Sequence, residues 1–379
     1  MSGIGVVIFV IAILFSIGLH EFGHFITAKK FGMKVHSFYV GFRPAIWSKQ
    51  VGETEYGIGA IPIGGFVKIA GMNPFEDIAP EDRDRVFKAK KPWQRAIVLS
   101  AGSFTHFLLA FVIIAVVLAT AGLEDFNKPT TTVGEVSKTV QVGDGEQQSP
   151  AAKAGLHRGD KVVAVDGSAV GSWTQLVDYV RAHPNQTVRF TIIRDGRQIE
   201  LTPTTTTQSS NGQTYGFIGI GSQYARDHYS VPRAIGTAGI DVGKGIWESA
   251  VALKQIFSPS SIAHLFKIVG GTAQRKATDP TTIVGIGGQA GSLFARGDIG
   301  LLFLLIASFN IFVGLANIIP LPPLDGGHLA VLAYEKVRGR DVDMRKLIPI
   351  SAAVIAAFAS LFLILLYLDV VNPVPKIPG

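Results

Sequence analysis

The strongest chemistry in this sequence lies in five consecutive residues, His20-Glu21-Phe22-Gly23-His24. On a helix, residues four apart share one face, so the two imidazoles can grip a single Zn2+. The glutamate between them stands where it can take a proton from an attacking water. The motif sits inside a long apolar run. An ionisable residue at the centre of a membrane helix costs about 2.5–3.5 kcal/mol on insertion scales, so three within five residues point to function. A proton or ion relay is the competing use of such a cluster. A soluble zinc protease of one common type would carry a third histidine six residues on, but that position is Lys30. The third ligand must come from elsewhere.

Asp325 is the candidate. Residues 317–328 read Asn-Ile-Ile-Pro-Leu-Pro-Pro-Leu-Asp-Gly-Gly-His, directly after an apolar stretch. Pro320, Pro322 and Pro323 end the helix and leave extended chain. Non-helical backbone at membrane depth is tolerated only within protein or beside a wet cavity, so an acid there is a functional candidate. Asp325 also reads as the N-cap of a short helix from about Gly326 to Val337, which is compatible with ligation through its second oxygen. His328 is a rival ligand. Two histidines and one carboxylate, with a fourth position open, form a standard catalytic zinc arrangement.

The elements that must position these groups are membrane helices. Charged residues make up 17% of the 379, against about 25% in soluble domains. Four stretches are long and apolar enough to span a bilayer: about Ile4–Ala28, Ile97–Leu123, Gly300–Ile319 and Ile348–Val371. The first lacks the basic start and small-residue cleavage site of a signal peptide, so it reads as a span. The loops between spans one and two and between spans three and four are rich in Lys and Arg, which places them in the cytoplasm. The net charge of +7 is thereby a topology signal rather than a nucleic-acid signal. With no cysteine in the chain, thiolate ligands, thiol nucleophiles and disulfides are excluded. His20 lies about 24 Å along the first span. In a core about 30 Å thick it should reach the depth of Asp325, near the inner leaflet.

Residues 124–298 lie outside in this topology. Val188–Arg194 alternates, Asp195-Gly196 is a turn, and Gln198–Thr202 completes a hairpin. Trp173–Ala182 reads as a helix with Leu176, Val177 and Val180 on one face. Residues 149–167 resemble the helix, glycine turn and strand of a bacterial PDZ domain, and 203–214 read as a long loop. About Ile235–Leu253 and Ile262–Val269 are amphipathic. They lie on the outer membrane face or serve as core helices of the outer domain.

Taken together, the zinc motif in the first span, Leu324-Asp325-Gly326 after a later one and a PDZ domain between spans two and three resemble the bacterial site-2 protease family. Ala28–Gly32, Phe38–Phe42 and Ile63–Ile69 extend the resemblance over nearly the whole chain. It implies a polytopic α-helical membrane protein with four transmembrane helices, a membrane-associated β-hairpin at about 54–70 and an inserted α+β PDZ domain. The expected divisions are 1–123 for the first membrane half, 124–225 for the PDZ domain, 226–298 for a helical linker and 299–379 for the second membrane half. The resemblance implies His20, His24 and Asp325 as ligands and Glu21 as the base. Gly64, Gly65 and Phe66 on the hairpin and Asn317 are the expected substrate contacts. Interhelical packing is an alternative role for Asn317. Single-span membrane proteins such as anti-sigma factors, and signal peptides, are the implied substrates, in the bacterial plasma membrane. A PDZ scaffold without activity and a metal or proton transporter are the rival functions. The chain departs from the family at Arg43, at Ser103 and at His106, which reads as a helix-packing histidine in preference to a group near the metal. It carries one PDZ domain where some relatives have two.

Overall fold

The computed structural model describes residues 3–73, 75–142, 145–210, 213–276, 278–340 and 342–374. The described residues divide into two compact units, one of 3–120 with 229–374 and one of 121–228.

The first unit begins with helix α1 (Gly3–Lys30), strands β1 (Val35–Val51) and β2 (Thr54–Ile69), and helix α2 (Pro92–Thr120). Helices α1 and α2 are long and apolar enough to cross a membrane, and they meet through small residues. A Cβ on Gly23 would stand 2.7 Å from the Ala101 carbonyl oxygen. Glycine there lets the two backbones approach closely, as membrane helix interfaces favour. The end of α1 is held by a core of Phe25, Ala28, Met33, Val35, Ile69, Phe87, Val98 and Leu99. Around it, Glu53 pairs with Lys29 and Arg85, and Asp82 pairs with Lys34. The basic loop is therefore folded onto the end of the span.

Residues 54–70, expected as a complete hairpin, supply one long strand whose partner is β1, with the turn at Gly52 and Glu53. The register doubles back. Tyr39 pairs with both Phe66 and Gly57, and Val40 with both Gly65 and Ile58. Residues 37–40 are thus paired on both sides, and among the described residues the outer edge of 61–69 is unpaired. Sequence periodicity could not show this, because the pairing is non-local and glycine-rich strands specify register weakly.

The second unit runs through β3 (Leu123–Val136), β4 (Thr139–Val142), β5 (Gly145–Gln148), the turn α3 (Pro150–Lys153), β6 (Lys161–Val165), β7 (Ser168–Ala169) and α4 (Trp173–Ala182). It ends with β8 (Phe190–Arg194), β9 (Arg197–Leu201), β10 (Thr206–Ser210), β11 (Gln213–Phe217) and β12 (Ile220–Asp227). The main sheet has the order β12-β3-β6-β8-β9, with β7 on β6. This is the α+β, PDZ-like insert expected. Asp195 and Gly196 both take positive φ, 50° and 76°, as a two-residue hairpin turn requires. Helix α4 is capped by Ser172 and buries Leu176 and Val180 against Val162, Phe190 and Ile218. The stretch 203–214, expected as a loop, instead carries β10 and the start of β11, paired from Thr206–Phe217 onward. Its residues 211 and 212 lie outside the described set.

Asp160, 1% exposed, anchors this unit through Arg194, whose Nε and Nη2 donate to the carboxylate at 2.7 Å each. Burial pushes the Asp160 carboxyl up. Arg194 and the His157 N–H outweigh it, so the group titrates below the usual carboxylate range. Its stabilisation is present above that range and is lost as pH falls through the lowered value. Asp160→Ala is expected to destabilise the outer unit by about 2–3 kcal/mol at neutral pH and to blunt its acid sensitivity. Urea midpoints from pulse proteolysis of the full chain at pH 7 and pH 3 measure both effects.

The chain then returns to the first unit with α5 (Val231–Ile256), α6 (Pro259–Val269), α7 (Ile283–Ala295), α8 (Ile299–Ile318), α9 (Asp325–Arg338) and α10 (Ile348–Val371). Helix α8 and the segment Arg345–Val371 are the other two candidate spans. Helix α5 packs against α2 and α8, with Ala234 and Ala238 buried and Gly245 against Ile311. The segment expected as a linker is therefore part of the helical unit. An amphipathic pattern alone does not distinguish a helix lying on lipid from one packed on other helices. Phe9 and Ile13 of α1 pack on Ala290 of α7 and on Leu302 and Ile306 of α8, which brings the third span to the first.

Candidate metal centre

His20 and His24 lie one turn apart on α1, facing α2 and the start of α9. The three distances among their Nε2 atoms and Asp325 Oδ2 are nearly equal. His20 to His24 is 3.2 Å, His20 to Asp325 is 3.4 Å and His24 to Asp325 is 3.3 Å. A tetrahedral ion with bonds of about 2.0–2.1 Å has ligand–ligand edges of about 3.3–3.4 Å, so these atoms fit one face of a zinc site. The chemistry of the donors agrees. The His24 Nδ1–H donates to the Val98 carbonyl at 2.7 Å, which leaves its Nε2 as a lone pair aimed at the triangle. Asp325 Oδ2 is buried and makes no hydrogen bond among the described residues. Lone pairs converging at this distance repel one another, and a shared cation would relieve them.

Local sequence explains why Asp325 arrives there. Helix α8 ends at Ile318, and the prolines keep 319–324 from continuing it. The chain then folds back tightly. A Cβ on Gly326 would stand 2.1 Å from the Ile318 carbonyl oxygen, and one on Gly327 would stand 2.6 Å from Pro322 N. The glycine pair thus permits the reversal that starts α9. Leu324 occupies the N-cap position and Asp325 the first turn, so the cap expected of Asp325 is not made. Its carboxylate is left to the histidines. Farther along α9, Glu335 pairs with Arg95 of α2 at 2.9 Å, both largely buried, which fixes the helix that carries Asp325.

The other candidates fall as follows. Glu21 lies against β2, where a Cβ on Gly65 would stand 2.8 Å from Glu21 Cγ. Gly64 packs on the Phe42 ring, and Phe66 stacks on Tyr39 with centroids 5.1 Å apart. The expected contact strand therefore runs beside the base. Asn317 sits half-buried in the last turn of α8 and makes no side-chain hydrogen bond among the described residues. His328 is outside the ligand triangle and lines a separate cleft with Asn73, Pro322 and Pro323. Tyr215, Gly216 and Phe217 line an apolar groove of about 240 Å³ with Leu176, Val180 and Arg181.

Sequence reasoning missed Gly102. Its backbone packs on both ligand imidazoles, and a Cβ there would stand 2.4 Å from His24 Nε2 and 2.5 Å from His20 Cε1. Alanine suits a helix better than glycine, so Gly102→Ala isolates the crowding. It is expected to weaken zinc binding at least about tenfold with helix content unchanged. Competition with a chromophoric chelator, alongside circular dichroism, measures this.

The chain is similar to known proteins over nearly its whole length. The profile of peptidase family M50 matches residues 8–366, and the chain belongs to that family. The zinc metalloprotease Rip1 of Mycolicibacterium smegmatis is 35% identical over 404 residues, covering 98% of each chain. Rip1 of Mycobacterium tuberculosis is 33% identical over 399 residues, again covering 98% of each. The regulator of sigma-E protease RseP of Salmonella typhimurium is 28% identical over 429 residues, covering 89% of this chain and 92% of its own. A solved PDZ domain of an SdrC-like protein from Listeria monocytogenes covers 26% of this chain at 23% identity and a TM-score of 0.20. The protein is thus a zinc metalloprotease of the site-2 protease family, embedded in a membrane by several helices.

Proposed function

We propose that this chain cuts single-span membrane proteins within or at the edge of the bilayer, with His20, His24 and Asp325 holding the zinc and Glu21 acting as base. The near-equilateral triangle of ligand atoms between the first membrane-spanning helix and the start of α9 carries this reading. Zinc, when bound, polarises the scissile carbonyl and makes water acidic enough to lose a proton near neutral pH. Glu21 takes the proton of the attacking water and returns it to the departing amide nitrogen. A helical substrate hides its peptide bonds in its own hydrogen bonds, so it must unwind to be cut. The unpaired edge of 61–69, with Gly64, Gly65 and Phe66, compensates the unwound backbone by strand addition. Asn317, whose side-chain amide makes no hydrogen bond among the described residues, meets the substrate backbone on the other side of the cut.

The basic loops support a topology with the metal centre near the cytoplasmic face of a bacterial plasma membrane and the PDZ-like unit outside. The groove between α4 and β11 screens substrates there by their trimmed C-terminal ends. Anti-sigma-factor-like proteins and remnant signal peptides have the required single apolar span.

The test is cleavage of a single-span substrate by the full chain in liposomes. Zinc-dependent cutting, blocked by a chelator and restored by zinc, is expected. Stoichiometric zinc without cutting of any single-span substrate supports the scaffold instead, and zinc flux into the liposomes supports the transporter.

A further inference from the structure

His106 of α2 is buried, at 3% exposure, and its ring centroid lies 5.0 Å from that of His20. Its Nδ1 is 2.8 Å from Asn310 Oδ1 on α8. Asn310, fully buried, donates its amide Nδ2 to the Ile306 carbonyl at 2.9 Å. That bond fixes the amide orientation and makes Oδ1 the atom facing His106. An amide oxygen only accepts, so Nδ1 of His106 carries the proton and Nε2 is left as an acceptor. The neighbouring ring has the complementary need. His20 contributes Nε2 to the ligand triangle, so its Nδ1 carries a proton, and that Nδ1 is buried with no hydrogen-bond partner among the described residues. A metal-binding histidine ordinarily donates this second N–H to an acceptor that sets its tautomer and orientation. The two rings are neighbours at 5.0 Å between centroids with no direct bond to Nδ1, a separation that one water can bridge.

We infer that His106 is a positioning residue for the metal centre: its Nε2 accepts the Nδ1–H of His20 through one bridging water, while Asn310 holds His106 in the tautomer that can do so. The result is a relay from α8 through α2 to α1, in which a side chain on the third span orients a metal ligand on the first. His24 is oriented differently, by the Val98 carbonyl, so the two imidazole ligands have separate supports. The Gly102 carbonyl, beside the same ring, is the rival acceptor: it takes the Thr105 hydroxyl at 2.7 Å on one lone pair and has a second for the His20 Nδ1–H, in which case His106→Leu leaves zinc binding unchanged. The inference rests on His20 being a zinc ligand.

The experiment measures zinc affinity by chelator competition and the visible absorption of the Co2+-substituted full chain, for wild type, His106→Leu, His106→Gln and Asn310→Leu. His106→Leu removes the acceptor and is expected to weaken zinc binding about 10–100-fold and to shift the cobalt bands. His106→Gln, which retains an acceptor and a donor, is expected to recover most of the affinity. Asn310→Leu leaves His106 in place but frees its tautomer, so it should weaken binding and shift the bands in the same direction. It carries the test alone if His106→Leu does not fold. Wild-type affinity and spectrum in His106→Leu or Asn310→Leu overturn the inference. Equal losses in His106→Leu and His106→Gln also overturn it, because packing alone then accounts for the residue. Failure of the wild-type chain to bind zinc at all would sink the metal assignment itself.

Discussion

Glu21→Gln is expected to lower cleavage of a single-span substrate by about 10²–10⁴-fold while zinc content stays at the wild-type level. Glutamine keeps the shape of the side chain and removes its ability to take a proton. Shape matters here, because the space between Gly65 of β2 and the Glu21 side chain would not hold even a Cβ, and a bulkier replacement would move the strand. The group that could hold the metal is His20, His24 and Asp325, so the metal should remain. Initial rates in liposomes and metal content by mass spectrometry give the two readouts. Cutting at more than about a tenth of the wild-type rate would remove Glu21 from the role of base. Loss of zinc together with activity would make it a ligand or a structural residue.

Asp325→Ala is expected to empty the site rather than slow it. Zinc sites built from protein ligands bind with about 10–16 kcal/mol, so one ligand in four is worth about 3–4 kcal/mol, or 10²–10³-fold in affinity. Purified Asp325→Ala should carry zinc well below stoichiometry and cut nothing, and excess zinc should restore metal content before it restores activity. The fold should survive. Asp325 makes no cap bond in α9, and that helix is held independently by Glu335 and Arg95. A variant that keeps full zinc would mean that His328 or His106 completes the site.

The sequence showed the parts of this site that depend on local chemistry. His20, Glu21 and His24 stand out because their spacing is a property of one helix turn. Asp325 stands out because three prolines and two glycines around it allow few backbone paths. The four apolar stretches were readable from length and composition, although α2 starts earlier than expected, at Pro92. The remaining features depend on contacts between distant segments. Gly102 has no chemistry of its own, and its importance comes from the two rings lying against it. His106 and Asn310 are separated by 204 positions, so their bond has no sequence pattern. The doubled register of β1 and β2 and the packing of α5 against α2 and α8 are likewise decided by tertiary contacts.

Zinc-edge X-ray absorption on the purified full chain addresses the coordination directly. With no cysteine in the sequence, every protein ligand is nitrogen or oxygen. The expected spectrum has four such neighbours at about 2.0–2.1 Å, with the outer scattering of two imidazoles and no more. Asp325→Ala should change that first shell. Scattering from three or more imidazoles, or an unchanged shell in Asp325→Ala, would contradict the site.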